Sequence, residues 1–308
     1  MKPTLFIGDI NVDIMMGGLE SFPIPDREIS CASFDVALGS SAVIAACTYT
    51  ALGGKSAFLG LAGRDAYGDF MLDGMKEFGI DVSPVVRTDK VKTGVTVNLI
   101  HGGQRTQVTY GGTIPELDGT PLDKKTFAGF GHVHFAGPYL ETKMRPHVTR
   151  LLKTARECGL TTSLDPQWDA TEQWQFMDEW LPLLDYFFPN ADEARSITKA
   201  ATAESACLKL AARTRCVIVK AGKDGAMMAD QGSPVTVRPP QIKIVDTTGA
   251  GDALDSGFLY AIQVRNLPMR DALRFAVSTA SRSCTFVGGT AARSSYEDVM
   301  KFMKEKMQ

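Results

Sequence analysis

Short apolar runs alternate with stretches of helical periodicity along the chain. Residues 4–7 (Thr4, Leu5, Phe6, Ile7) read as a buried first strand that ends at Gly8-Asp9. Residues 160–164, 183–188 and 216–220 read the same way, and residues 148–158 form an amphipathic helix closed by Gly159. An alanine-rich helix is expected after Gly39, and further helices over 253–266 and 270–286. This alternation predicts an α/β fold, a three-layer α/β/α arrangement around a mainly parallel sheet. No repeat, low-complexity segment or linker divides the chain, so residues 1–308 are expected to form one domain. Two places break the rhythm. Residues 20–38 carry a proline-rich turn (Phe22-Pro23-Ile24-Pro25) and then an extended run, 28–36. Residues 94–100 alternate, turn at His101-Gly102-Gly103-Gln104 and return through 105–110, a hairpin pattern. Together they predict a small β lid, about 12–37 and 92–112, inserted in the main domain.

Composition narrows the function. The chain has 308 residues with 44% hydrophobic and 22% charged residues, ordinary for a globular protein. Net charge is −2 with no Lys/Arg block, which argues against a dedicated nucleic-acid or anionic-membrane binder. The six cysteines are scattered without a C-x-x-C pair and read as reduced thiols of a cytoplasmic protein. The first residues contain too short an apolar run for a signal peptide, and no apolar stretch is long enough to span a membrane.

The stretch that carries chemistry runs from Ile244 to Leu254: Ile-Val-Asp-Thr-Thr-Gly-Ala-Gly-Asp-Ala-Leu. Ile244-Val245 read as a strand end, Gly249-Ala250-Gly251 as a turn, and the residues after Asp252 as a helix. Unpartnered amides and the macrodipole at a helix start favour an anion. A carboxylate placed among them suits proton removal from a hydroxyl that attacks phosphate; the plainer reading is a helix cap. Asn11 and Asp13 follow the first strand at the sheet edge where open α/β sheets bind ligands, either to hold vicinal hydroxyls or as an Asx-turn pair. Two other patterns fail. Gly54-Lys55-Ser56 lacks the upstream glycine of a phosphate loop, because Tyr49 stands there. His132 and His134 alternate with Val133 and Phe135, as a strand does, although His134 is placed to face the pocket mouth.

Residues 246–259, D-T-T-G-A-G-D-A-L-D-S-G-F-L, closely resemble the C-terminal signature of the ribokinase (PfkB-type) carbohydrate kinases, and the resemblance covers nearly the whole chain. It implies the ribokinase-like fold and an ATP-dependent phosphotransferase. Asp252 would be the catalytic base, and the amides of Gly249, Ala250, Gly251 and Asp252 the anion hole. Asn11 and Asp13 would hold sugar hydroxyls. The motif from Leu38 to Ala46 would meet the sugar through Gly39 and Ser40; Ser40 stands where glycine is usual, and Ile44 where asparagine is usual. The run 60–68 resembles the family's G-x-D-x-x-G motif; the plainer reading of Asp65 is a cap on the helix that runs through Phe78. Asn190 would lie near the ATP phosphates, and Glu193 would help to hold Mg²⁺ through water. The turn Gly222-Lys223-Asp224-Gly225 would contact the nucleotide; Lys220 and Lys223 either neutralise phosphate or are exposed turn lysines. Asp246 and Thr248 would share a monovalent cation such as K⁺. Gln167 and Asp169 depart from a D-x-N-x-R pattern common in relatives.

The resemblance further implies a small-molecule sugar or nucleoside substrate and a possible homodimer through the lid. Three rivals stay open. A nucleoside kinase of the same family would stack a base on Phe22, Phe34 or Tyr110. A non-catalytic sensor on the same fold would not need Asp252. A dinucleotide-binding enzyme would need a third glycine that this turn lacks.

Overall fold

The computed structural model describes residues 2–102, 104–230, 232 and 234–307. Gly103 of the expected hairpin turn therefore lies outside the described residues. The main sheet has eight strands among the described residues. In spatial order they are Val235–Val237, Ala226–Ala229, Val217–Lys220, Tyr186–Phe187, Thr161–Asp165, His132–Ala136, Thr4–Ile7 and Ser56–Leu59. The six from Val217–Lys220 to Ser56–Leu59 are parallel, and the two at the other edge are antiparallel.

Burial of both faces explains the apolar runs. Within one strand, Phe6 joins a core with the helices Ser41–Ala51, Ala250–Gln263 and Met269–Ser283. Its neighbours Leu5 and Ile7 join the opposite core with Val148–Glu157 and Ala203–Ala211. Phe258 is fully buried and meets Tyr186 and Phe188 edge-on, which locks Ala250–Gln263 against the sheet. The expected three-layer α/β arrangement is thus present. Among the described residues no helix is long and apolar enough to cross a membrane.

One expectation fails. Ile244 and Val245 do not end a strand; they are 60% and 51% exposed. The chain leaves the sheet after Val237, because Pro239 and Pro240 have no amide to donate to a ladder. Val245 and Asp246 are instead held by the Cys284 carbonyl, at 2.8 and 3.3 Å. Anchoring by a helix end replaces the expected strand.

A second sheet of four strands, in the order Ser33–Leu38, Asn11–Gly17, Gly94–His101, Gln104–Tyr110, is separate from the main sheet and draws its strands from the two stretches that break the α/β rhythm. Its polarity is inverted. Thr96 and Asn98 are buried, whereas Phe34, Val108 and Tyr110 on the opposite face are more than half exposed. Asp65 joins this sheet to the main body. Its carboxylate accepts from the Gly68 amide as a helix cap and from both the amide and hydroxyl of Thr93, just before Gly94–His101. These bonds outweigh the cost of burial and hold its pKa below the usual aspartate value. Replacing Asp65 with Ala should destabilise the protein by about 1–2 kcal/mol in urea unfolding, the upper range for a lost cap. The depressed pKa means that this contribution is present at neutral pH and fades as pH falls through the folded value. An unchanged unfolding midpoint would show that Thr93 is held without Asp65.

Candidate active site

The site lies along the C-terminal edge of the parallel sheet, where strand ends leave a crevice. Asn11 follows the first strand, and its amide donates to Asp13 (3.2 Å) and to Thr96 of the second sheet (3.3 Å). Burial pushes the Asp13 carboxyl up to about 6, against the pull of Asn11 and the Arg105 guanidinium. Gly39 makes this approach possible. A Cβ there would lie 2.7 Å from both the Asn11 amide nitrogen and an Asp13 carboxylate oxygen.

Ser40 takes the place expected of a glycine and adopts a glycine's conformation, φ 68. Its hydroxyl compensates: it donates to the Asp9 carbonyl (2.7 Å) and carboxylate (3.1 Å), and accepts from the Val43 amide as a helix cap. Ser41, the next residue, donates its hydroxyl to the Asp252 carboxylate. The expected base is thereby joined to the motif around Gly39 and Ser40.

Asp252 lies in the first turn of Ala250–Gln263. Burial, reinforced by Asp165, pushes its carboxyl up to about 7, with Ser41 and Lys220 opposing. Gly249 before it has φ 73 and is pressed by Ile44 and Gly289; an added Cβ would sit 2.8 Å from an Ile44 methyl. Ile44, in place of the usual asparagine, therefore packs behind the turn as an apolar floor. The Ala250 amide donates to the Thr247 carbonyl at 3.2 Å and closes the turn that opens the helix.

Beneath the turn lies Lys220. It was open to being an exposed turn lysine; instead its side chain is 12% exposed and bridges Asp165 (2.8 Å) and Asp255 (3.1 Å). Burial opposes its charge, but Asp165, Asp255 and Glu193 outweigh that and hold its pKa above the ordinary lysine value. Its Nζ lies 3.5 Å from where a Gly251 side chain would begin. Lys223, by contrast, is exposed. Gly222 and Gly225, at φ 54 and 88, turn the chain from Val217–Lys220 into Ala226–Ala229 at the same sheet edge.

Asn190 bridges to Lys220 through the backbone and caps Ala191–Thr198. Glu193 returns the bond: its carboxylate accepts the Asn190 amide (2.7 Å) and side-chain NH₂ (2.6 Å). Burial, then Asp165, pushes Glu193 up to about 7. Asp246 accepts from the Thr248 amide and hydroxyl and from the Gly288 amide, so its two oxygens clamp two loops together. Despite partial burial, those bonds keep its pKa low.

The structure thus links Asn11, Asp13, Gly39, Ser40, Asp252, Gly251, Lys220, Asn190 and Glu193 in one chain of contacts. It leaves others out. His134 does not reach the pocket mouth; it is buried in its strand between Phe6 and Phe188, and burial lowers its pKa to about 4. Phe34 and Tyr110 lie on the outer face of the small sheet, and Phe22 packs on His101. Sequence reasoning missed Ser41, Asp165, Asp255, Arg105 and the buried Glu141, whose Oε1 has no partner and whose pKa burial raises. Asp255 had a signal: an acid three residues after Asp252 on a helix otherwise apolar at that face.

Residues 6–295 match the pfkB family carbohydrate kinase. The chain is 29% identical to the 2-dehydro-3-deoxygluconokinase of Bacillus subtilis (strain 168), covering 80% of each. It is 24% identical to the ribokinase of Haemophilus influenzae over 99% of each. A putative ribokinase II from E. coli, solved in complex with ATP and Mg²⁺, superposes with a TM-score of 0.88 at 20% identity, covering 99% of this chain and 100% of that one.

Since Lys220 holds down the Asp252 pKa, Lys220→Met should move the Asp252 carboxyl titration upward from about 7. Carbon-13 carboxyl NMR, assigned with Asp252→Asn, reads this directly. An unmoved or lowered midpoint would show that the ammonium does not act on Asp252.

Proposed function

This chain belongs to the pfkB family of carbohydrate kinases, and we propose that it transfers the γ-phosphoryl group of ATP to a hydroxyl of a small sugar or sugar-like compound, with Asp252 as the base. The observation that carries this reading is a recessed carboxyl, raised to about 7, at the head of a helix that opens with a glycine turn. A base with a pKa near neutrality suits proton removal at working pH.

In this reading Asn11 and Asp13 hold the substrate hydroxyls. The attacking hydroxyl gives its proton to Asp252 as its oxygen bonds to the γ-phosphorus, and the bond to the β–γ bridging oxygen breaks to release ADP. Amides of Gly249, Ala250, Gly251 and Asp252 donate to the phosphoryl oxygens, and the helix dipole points the same way. Gly222, Gly225 and Asn190 line the nucleotide side. Lys220 acts from below the turn by holding its helix to the sheet.

Among the described residues no group of three or more His, Cys, Asp or Glu side chains is arranged to hold a metal ion by itself, so Mg²⁺ would be held jointly with the phosphate oxygens of the nucleotide. Glu193, already bonded to Asn190, suits a contact through water. When bound, Mg²⁺ would neutralise charge on the phosphate oxygens. Asp246 and Thr248 fit a monovalent cation poorly, because their side-chain oxygens are engaged with one another, with Gly288 and with Arg105. No step is assigned to K⁺.

The aromatic residues proposed for a nucleoside base face outward or pack on His101, which favours a sugar over a nucleoside. The carboxylate and lysine network favours an enzyme over a sensor, since binding alone needs no base. The exposed apolar face of the small sheet is assigned to a second copy of the chain.

Asp252→Asn should cut ADP release from MgATP by roughly 10²–10⁴-fold, the range for a lost general base, with ATP affinity nearly unchanged. The assay runs over pentoses, hexoses, sugar acids and nucleosides. Turnover like that of the unaltered protein would remove Asp252 from the mechanism. For the dimer, sedimentation should show twice the chain mass and Val108→Lys should return it to one; a native monomer would end that assignment.

A further inference from the structure

We infer that Arg105 reads a carboxylate on the phosphoryl acceptor, so that the substrate is a sugar acid; this rests on the kinase reading above.

The inner face of the small sheet follows from its register. Asp13 pairs with Thr96, Thr96 with Thr109, Asn98 with Gln107, and Ile100 with Arg105. Paired residues share a face, and alternate residues along a strand return to it. Asp13, Thr96, Asn98, Gln107, Thr109 and Arg105 therefore look the same way. The neutral members satisfy one another: Thr96 bonds Thr109 at 3.1 Å, and Gln107 donates to Asn98 at 2.9 Å. Arg105 does not end within this ladder. Its Nη1 crosses to the main body and donates to the Thr248 hydroxyl at 2.9 Å.

That places a guanidinium between the two halves of the site. Its charge lowers the pKa of Asp13 on one side and of Asp246 on the other. Asp13 and Thr248 both line a cavity of about 420 Å³, roomy enough for a six-carbon compound. Among the described residues Arg105 makes one hydrogen bond and no ion pair, although a guanidinium carries five N–H donors. Arg105 meets this cavity through Thr248 at its wall; Arg293, the cation in the wall itself, pairs with Glu77 and lies over Phe78.

A neutral sugar would leave the Arg105 fork facing water. A carboxylate fills it with paired N–H···O bonds and matches its single charge. A phosphate dianion would bring two charges next to Asp13 and Asp246 with one guanidinium to compensate, which is less favourable. With Asp35, Asp73 and Glu77 also in the cavity wall, a single charge seated on the Arg105 fork is the better tolerated of the two anions.

The test compares three acceptors under MgATP: 2-dehydro-3-deoxygluconate, fructose and fructose 6-phosphate. Thermal protection by each compound without ATP is the second readout. The unaltered protein should prefer the acid in kcat/KM and be protected by it most. Arg105→Gln should lower the ratio of acid to fructose kcat/KM by roughly 10- to 100-fold, mainly through KM, as expected for lost hydrogen bonds to a charged group. Arg105→Lys should recover part of that ratio. Preference for fructose or its phosphate, or an equal loss on every acceptor in Arg105→Gln, overturns the inference and leaves Arg105 as a strut on Thr248. Acid protection that depends on Arg105, without any ADP release, would uphold it and overturn the kinase reading instead.

Discussion

One buried lysine sets the terms for this site. Lys220 ends a central strand and holds Asp165 from the neighbouring part of the sheet and Asp255 from the helix behind the glycine turn. Two carboxylates that are at most 5% exposed share this one cation, and burial still pushes the Asp255 carboxyl well above the usual aspartate range. The same ammonium reaches within 3.5 Å of the position a Gly251 side chain would take. The turn therefore rests on a charged support that cannot shift without exposing unpaired carboxylates. Burial raises the Asp252 pKa most; this arrangement then adds to it through Asp165 and opposes it through Lys220, beside the Ser41 hydroxyl.

The small sheet is built on the opposite principle. An ordinary half-buried sheet hides apolar residues and exposes polar ones. Here Thr96 and Asn98 are nearly inaccessible, while Val108 and Tyr110 are open. The proximal part of the apolar face is used in packing: Ile14 and Val36 join the main core, and Leu38 lies against Gly74. The distal part is left bare. The inversion leaves apolar surface exposed on one side and turns hydrogen-bonding side chains to the other. The residue that crosses from that face to the main body, Arg105, is the one with donors to spare.

Legibility in the sequence followed the range of each interaction. The first strand, the helix Val148–Glu157 and the lid hairpin are written in local periodicity, and the structure has them. Asp65 as a cap was also local, because cap and amide are three residues apart. Ile244 and Val245 misled for the converse reason. A β-branched pair beside a turn looks like a strand, but pairing needs a neighbour, and the prolines before it had already taken the chain off the sheet. Lys220, Asp165 and Asp255 are separated by up to 90 residues, and nothing in the spacing of their letters says that they meet. Arg105 and Thr248 are 143 residues apart, and that contact exists only once two sheets are docked. The composition of the glycine turn was legible; the charges that tune it were not.

Ser40 shows how such distant terms become local structure. A non-glycine residue at φ 68 costs of order 1–3 kcal/mol and persists only where its surroundings fix it. Three hydrogen bonds do so here, two to Asp9 and one from Val43. Glycine would remove the strain but also the cap and the tie to Asp9. That tie begins the helix at Ser41 and directs the Ser41 hydroxyl at Asp252. The strained serine and the raised carboxyl are therefore two ends of one device. The backbone at Ser40 is held so that a hydroxyl one residue later donates to the Asp252 carboxylate. Burial and Asp165 still hold the Asp252 carboxyl up at about 7 against the Ser41 hydroxyl, which lowers it more than the Lys220 ammonium does.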